Sequence, residues 1–419
     1  MSNINRTSPV FTPVDRNLAE SLFARLARET GVPGEGVCRP SYGRGETVAW
    51  QLMAEAAADL GLHTRADAAG NLVMSVHSEI SPMPEIWVGS HLDAAPNGGN
   101  YDGLAGVIAA LLMVAKARDQ RTPRSIVGLG LRGEESAWFG VPYLGSRGIL
   151  GKLHPHDLDR RRRMPDNDNG PTLRTYMELI GILPENLLGS PILIPGQVAE
   201  FWELHIEQGP LLTTRNKPIG IVTGIRGNIR APDARVVGRA NHSGTTPHQL
   251  RDDAVMRFVE IMTGLEARRQ GFAALGADLV FTCGIVGTNP KKHSITTIAD
   301  EVRLALEVRS LSDHHANNFM RYAAASGVDL GELIKTPAVK ISPALWERVT
   351  RACVDLNIEH EVMPSGAGHD AAMFQEADIP SGMIFVRNKN GSHNPDESLD
   401  MDDFLLGCEV LWRTITPGA

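Results

Sequence analysis

The sequence predicts an α/β fold: one α/β domain with a mixed, largely parallel sheet, interrupted by an inserted α+β domain. Three observations carry this. Apolar, strand-like runs alternate with helical stretches early in the chain, the pattern of βαβ units. From about residue 212 to 328 the texture changes to several short strands and two helices. The length, 419 residues, exceeds what one core usually organises. The predicted division is 1–211 with 329–419 for the first domain and 212–328 for the insertion.

In order along the chain, residues 14–30 and 44–60 read as amphipathic helices around a Gly/Pro-rich turn, Gly31 to Gly43. Glu85 to His91 reads as a buried strand ending in polar residues. Leu104, Val107, Ile108, Leu111 and Leu112 then recur at helical spacing. Ser125 to Leu131 and Glu200 to Ile206 are further strands. In such sheets, sites gather at the carboxyl ends of the strands. Three of these strands end at or near His91, Glu134/Glu135 and His205. Within the insertion, Ile219–Thr223, Ala234–Gly238, Leu279–Cys283 and Val302–Val308 read as strands, and Arg251–Arg269 and Asp313–Ala325 as helices.

The net charge of -8 argues against a nucleic-acid binder, which would show a basic face. The run Arg160 to Arg163 precedes a polar stretch and reads as a solvated loop. Cys38, Cys283, Cys353 and Cys408 form no CxxC pair and fit buried, reduced thiols. The first residues lack the apolar core of a secretory signal, and no window approaches the ~20 apolar residues of a membrane helix. The expected compartment is the cytoplasm.

The chemistry-bearing residues cluster. His91-Leu-Asp93 sits at a strand end, followed by a glycine-rich turn to Asp102. His91 and Asp102 can ligate a metal while Asp93 fixes the imidazole tautomer; either alone equally fits a core histidine or a helix cap. Glu134-Glu135 follows a buried strand, where adjacent carboxylates are costly unless neutralised. One can ligate metal while the other handles protons on a bound water. His205 and Glu203 share a strand face. His393, His242, His369 and Asp370 lie in turn-rich segments. Each alone is a weak signal; together they are strong.

HLDAAPNGGNYDGLAGV, RGEES, LHIEQGP, GIVTGIRG, NHSGTTP, SGAGHD and GSHNPDE occur in one order. Together they closely resemble the N-carbamoyl-L-amino-acid hydrolase, β-ureidopropionase and allantoate amidohydrolase family. That family belongs to the clan of co-catalytic zinc aminopeptidases and aminoacylases. The likeness runs from about Arg39 to the C-terminus. The resemblance implies a binuclear site in which His91 and His393 bind different metals, Asp102 bridges both, and Glu135 and His205 complete the shells. Glu134 would be the general base. Two divalent ions, Zn2+ first and Mn2+, Co2+ or Ni2+ as alternatives, suit such nitrogen and oxygen ligands. They would offset the carboxylates, lower the pKa of a bridging water and polarise the scissile carbonyl.

The resemblance further implies that His242, in the inserted dimerisation or lid domain, reaches across a homodimer as oxyanion stabiliser. Gln208 and Gly368 would contact substrate, and Arg309 would grip its carboxylate bidentately. The chain departs from the family at Thr296-Thr-Ile-Ala-Asp300, where Asn-Val-Ile-Pro-Gly is usual, and at His293, where Asn is frequent. Thr296 and His293 therefore mark an altered substrate pocket. The expected reaction is amide hydrolysis of a carboxylate-bearing N-carbamoyl, ureido or N-acyl compound. An aminoacylase or dipeptidase is the second reading, and a non-catalytic metal-binding protein the third.

Overall fold

The computed structural model describes residues 9–163, 170–292 and 294–417. It divides into two compact units, 1–223 with 341–419, and 224–340.

The sheet of the first unit is built from β1 (His63–Ala66), β2 (Leu72–Ser75), β3 (Glu85–His91), β4 (Ile126–Leu131), β5 (Val198–Ile206) and β6 (Ile219–Ile225). After the insertion the chain adds β11 (His360–Ser365) and β12 (Ser381–Val386). The spatial order is β6-β12-β5-β3-β4-β2-β1, with β11 beside β6. The four central strands β12, β5, β3 and β4 are parallel. Antiparallel strands flank them on both sides. Every residue of β3 and β4 is buried, which is why these strands read as continuous apolar runs and not as alternation.

Helices α1 (Pro13–Thr30) and α2 (Arg44–Asp59) occupy the expected spans. Helix α3 (Leu104–Gln120) packs on β3, β4 and β5 and is buried all round from Leu104 to Ala115, as its uniformly apolar sequence requires. The sequence reading left out several elements of this unit, among them β1, β2, β11, β12 and the helices Pro343–Asp355 and Met401–Ile415.

The second unit has four antiparallel strands in the order β8 (Val280–Thr288), β9 (Glu301–Ser310), β7 (Gly227–Val237), β10 (Ile334–Thr336). Helices α4 (Ala254–Ala274) and α5 (Asp313–Ala325) pack on β7 and β9. Burial alternates along β9, so one face joins the core. That core includes Ala231, Val236, Leu265, Leu304, Leu306, Phe319 and Met320.

Residues 212–223, expected in the insertion, fall in the first unit. Ile219 to Val222 are buried without a gap, so this strand pairs with β12 in the large sheet. The fourth strand of the second unit is β10, beyond the expected limit at 328. Arg162 is not solvated as expected: it is buried, with its guanidinium 3.5 Å from the Tyr176 ring centroid. All four cysteines are free, but only Cys353 and Cys408 are buried; Cys38 is exposed. Among the described residues no helix is long and apolar enough to cross a membrane.

Candidate metal centre

The parallel strands bring their carboxyl ends to one edge of the first unit's sheet. His91 closes β3, the loop Arg132–Glu135 follows β4, His205 lies near the end of β5, and the segment carrying His393 follows β12. Asp102 ends the loop between β3 and α3. The next residue, Gly103, has φ +67° and sits so close to the His91 ring that a Cβ would fall 2.4 Å from it. Only glycine allows that approach.

Asp102 divides its oxygens between two sets of side chains. Its Oδ1 lies 3.4 Å from His91 Nε2 and 3.1 Å from His205 Nε2. Its Oδ2 lies 3.3 Å from His393 Nε2, which is in turn 3.2 Å from Glu135 Oε1. The two sets, His91–Asp102–His205 and Asp102–Glu135–His393, are each tight enough to hold a metal ion. The structure thus brings together all five residues expected as ligands.

The donor set fits divalent ions. Asp102 Oδ1 and Glu135 Oε1 are buried and accept no hydrogen bond, a costly state for a carboxylate without a cation. The tautomers fit as well. His91 Nδ1 faces the Asp93 carbonyl at 3.1 Å, and His205 Nδ1 faces the Ile206 carbonyl at 2.8 Å. Carbonyls only accept, so each Nδ1 carries the hydrogen and Nε2 is the nitrogen left to bind an ion, although His205 Nε2 here accepts the Gly103 N–H at 3.2 Å.

The electrostatics agree. Burial opposes charge on His91, but Asp102 and Asp93 override it and hold the ring well above its usual pKa. His393 is pushed up to about 11 by the Asp102 and Glu135 carboxylates that face its Nε2. Burial would raise Asp102, yet His205, His393 and His91 hold it well below the carboxylate range. The cluster is built to attract positive charge. His393 and Gln208 also take left-handed backbone conformations, φ +57° and +65°, and such strain in non-glycine residues concentrates at functional sites.

Glu134 is buried next to this cluster. Burial is the main cause that raises its carboxyl well above the usual range, and neighbouring Glu135 and Asp370 add to it against the pull of His91. Asp93 organises the surroundings: its two oxygens accept the Glu134 and Glu135 N–H groups at 3.0 and 3.1 Å, and the Ser41 hydroxyl at 2.6 Å.

The expected substrate contacts divide. Gln208 donates to Asp102 Oδ2 at 2.8 Å. At Gly368 a Cβ would fall 1.7 Å from the Tyr143 hydroxyl, so the backbone there must be bare. His242, Thr296 and Arg309 belong to the second unit. His242 Nδ1 accepts N–H groups of Gly244 and Thr245 at 3.1 and 3.3 Å, which leaves the hydrogen on Nε2. Residue His242 pairs with Thr297, and the Thr296 carbonyl accepts the Ser243 N–H at 2.9 Å, so Thr296 adjoins the His242 turn. The Arg309 fork is held by Glu307, at 2.9 and 3.0 Å. His293 lies outside the described residues.

Sequence reasoning missed the supporting carboxylates. Glu397 accepts the N–H groups of Tyr101 and Asp102 at 2.8 and 3.1 Å and the Ser392 hydroxyl at 2.6 Å, tying the Asp102 loop to the His393 loop. It stands in the GSHNPDE motif, four residues after His393, and that spacing was its only signal. His369 and Asp370 back the centre from behind: the His369 ring meets His205 edge-on at 4.5 Å, and Asp370 accepts the Ser146 hydroxyl.

The chain is similar to known proteins. Residues 87–416 match the model of peptidase family M20/M25/M40. An N-carbamoyl-L-amino acid amidohydrolase of Geobacillus stearothermophilus is 33% identical over 94% of this chain and 97% of its own length. An allantoate amidohydrolase of Escherichia coli is 30% identical over 94% of this chain and 96% of its own. The crystal structure of a hydantoinase/carbamoylase family amidase from Burkholderia ambifaria superposes with a TM-score of 0.80 at 29% identity, covering 96% of each chain. With a family match over most of its length and the strand-end cluster in place, the chain belongs to peptidase family M20/M25/M40.

Proposed function

We propose that the protein is a metal-dependent amidohydrolase that cleaves the non-peptide C–N bond of a carboxylate-bearing N-carbamoyl or ureido compound. The observation that carries this reading is Asp102, shared by two ligand sets with the buried Glu134 beside them. The relatives act, by their names, on N-carbamoyl-L-amino acids and allantoate.

His91, Asp102 and His205 would hold one ion, and Asp102, Glu135 and His393 the other. Zn2+ is the first choice for this donor set, with Mn2+, Co2+ and Ni2+ as alternatives. Bound ions supply a more acidic water and a polarised carbonyl. Glu134, buried beside the two ligand sets and belonging to neither, takes the proton from the attacking water and returns it to the leaving nitrogen. His242 offers Nε2–H to the oxygen on which negative charge develops. Arg309 anchors the substrate carboxylate, in exchange for Glu307. The unit 224–340 serves as lid and homodimer contact, and the four free thiols suit the cytoplasm.

The test is a screen of the metal-reconstituted protein against N-carbamoyl, ureido and N-acyl amino acids, with ammonia and free amine both assayed. Metal-dependent ammonia release is expected. Amine release without ammonia would favour an aminoacylase or dipeptidase, and no turnover on any compound would leave a metal-binding protein.

A further inference from the structure

Four consecutive backbone N–H groups after β4 each donate to a buried side chain. Arg132 N–H goes to Asn71 Oδ1 at 2.9 Å and Gly133 N–H to Glu46 Oε1 at 2.8 Å. Glu134 and Glu135 N–H go to the two oxygens of Asp93. Residues 132–135 are all buried, so each of these amides needs a partner, and here all four partners are side chains.

Asp93 has an evident reason to be there, since it also faces His91. Glu46 has none. It stands on α2, a helix that carries none of the candidate ligands, and it is 0% exposed. Its second oxygen accepts the Tyr42 N–H at 2.8 Å and Arg132 Nη1–H at 2.5 Å. Arg132 in turn donates from Nε to the Gly70 carbonyl at 2.8 Å. A buried ion pair is weak evidence for stability, because well-packed apolar residues can replace it without loss. Its position suggests another use.

Glu46 grips the peptide that enters Gly133, and Asp93 grips the peptide that leaves it. The same two peptides are held from the other side by the Gly145 and Leu144 N–H groups, which donate to the Arg132 and Gly133 carbonyls at 2.7 and 2.8 Å, so both torsions of the one residue in this loop with conformational freedom are fixed, at φ +65°. The next residue is Glu134. We propose that Glu46 is a positioning residue for Glu134: by holding the Gly133 amide it sets the direction in which the Glu134 side chain leaves the backbone. This rests on Glu134 being the proton-transfer group of the reading above.

Two double variants of the full-length, metal-reconstituted protein separate positioning from ion-pair stability. Glu46→Gln with Arg132→Met and Glu46→Leu with Arg132→Met both remove the two charges. Only the first keeps an acceptor oxygen there, one where the carboxylate has two, and slow exchange of the Gly133 amide shows that it serves Gly133 and not the Tyr42 N–H. On an N-carbamoyl amino acid that the wild type hydrolyses, the glutamine variant should keep its kcat. The leucine variant should lose roughly 10- to 100-fold in kcat, the scale of a small misplacement of a catalytic group, with KM and metal content unchanged. Amide exchange in the peptide containing 132–135 should be faster in the leucine variant alone. Equal kcat in the two variants overturns the proposal. If the wild type turns over no substrate, the functional reading fails by itself, and equal exchange in both variants then overturns the positioning role. Should the leucine variant not fold, Glu46→Asp keeps the charge for Arg132 but draws the oxygen back from Gly133. The same kcat loss is expected of it, and an unchanged kcat overturns the proposal.

Discussion

Asp102 holds its two oxygens toward two different sets of nitrogens, and replacing one oxygen with an amide group must break one set. Asp102→Asn should therefore lower bound metal from two ions per chain to one or none, measured by elemental analysis after dialysis. Full retention of two ions would show that the sets do not share this residue. Glu134 makes the opposite prediction. Its carboxylate belongs to neither ligand set, so Glu134→Gln should keep the metal while turnover falls by roughly 10²-fold or more, the usual worth of a positioned base. Loss of metal from this variant would give Glu134 a ligand's role. Thr296 tests specificity. Its backbone adjoins the His242 turn, and its hydroxyl is shorter than the amide of the usual asparagine and has one donor fewer. Thr296→Asn should gain activity on plain N-carbamoyl amino acids, read as kcat/KM across the screen; no change on any compound would make the substitution neutral.

At the scale of elements, helix α3 and the strands it covers form the platform beneath the centre. Leu111 is fully buried in α3, and Leu111→Ala should cost about 2 to 5 kcal/mol in chemical denaturation, the usual range for such a cavity. A cost near zero would mean that the helix is not packed as described. This platform was legible because its residues leave no choice: a uniformly apolar helix and apolar β-runs must be buried, and polar residues at their ends must have a purpose. Strand β12 was not legible. Its Ser381-Gly-Met-Ile-Phe-Val386 run is short, and periodicity alone does not tell a buried strand from a piece of helix. Ile219–Thr223 was read as a strand but placed in the insertion, since local pattern says that a strand is buried but not which sheet buries it. At the site, the candidate ligands stood in motifs, whereas Glu46 and Glu397 hold backbone amides, which any acceptor at the right place can do. Glu46 did leave a trace. It shares a helix face with Ala49 and Met53, and a carboxylate in an apolar stripe needs a partner.

The whole molecule consists of two units, of which the second has its own core. Residues 224–340 expressed alone should melt cooperatively by circular dichroism; a broad, non-cooperative loss of signal would show that the unit depends on the rest of the chain. Stripping divalent ions with a chelator should abolish turnover and lower the melting temperature of the first unit while leaving that of the second unchanged. A common shift of both transitions would mean that the units unfold as one. The order of strands in the first unit has a further consequence, which concerns synthesis. β12 lies between β5 and β6, yet it emerges from the ribosome after both, and after the entire 224–340 insertion. Until Ser381–Val386 arrives, β5 and β6 each present an unpaired edge toward the gap, and His393 is still to come. A nascent chain lengthens by about 5 to 20 residues per second, so every molecule spends roughly 8 to 30 seconds with the sheet open at its middle. During that interval the second unit, already complete, can fold by itself. The first unit cannot close until Ser381–Val386 and then His393 have been made, and a ribosome that stalls shortly before Ser381 leaves a chain with exposed strand edges and one of its two candidate ligand sets incomplete.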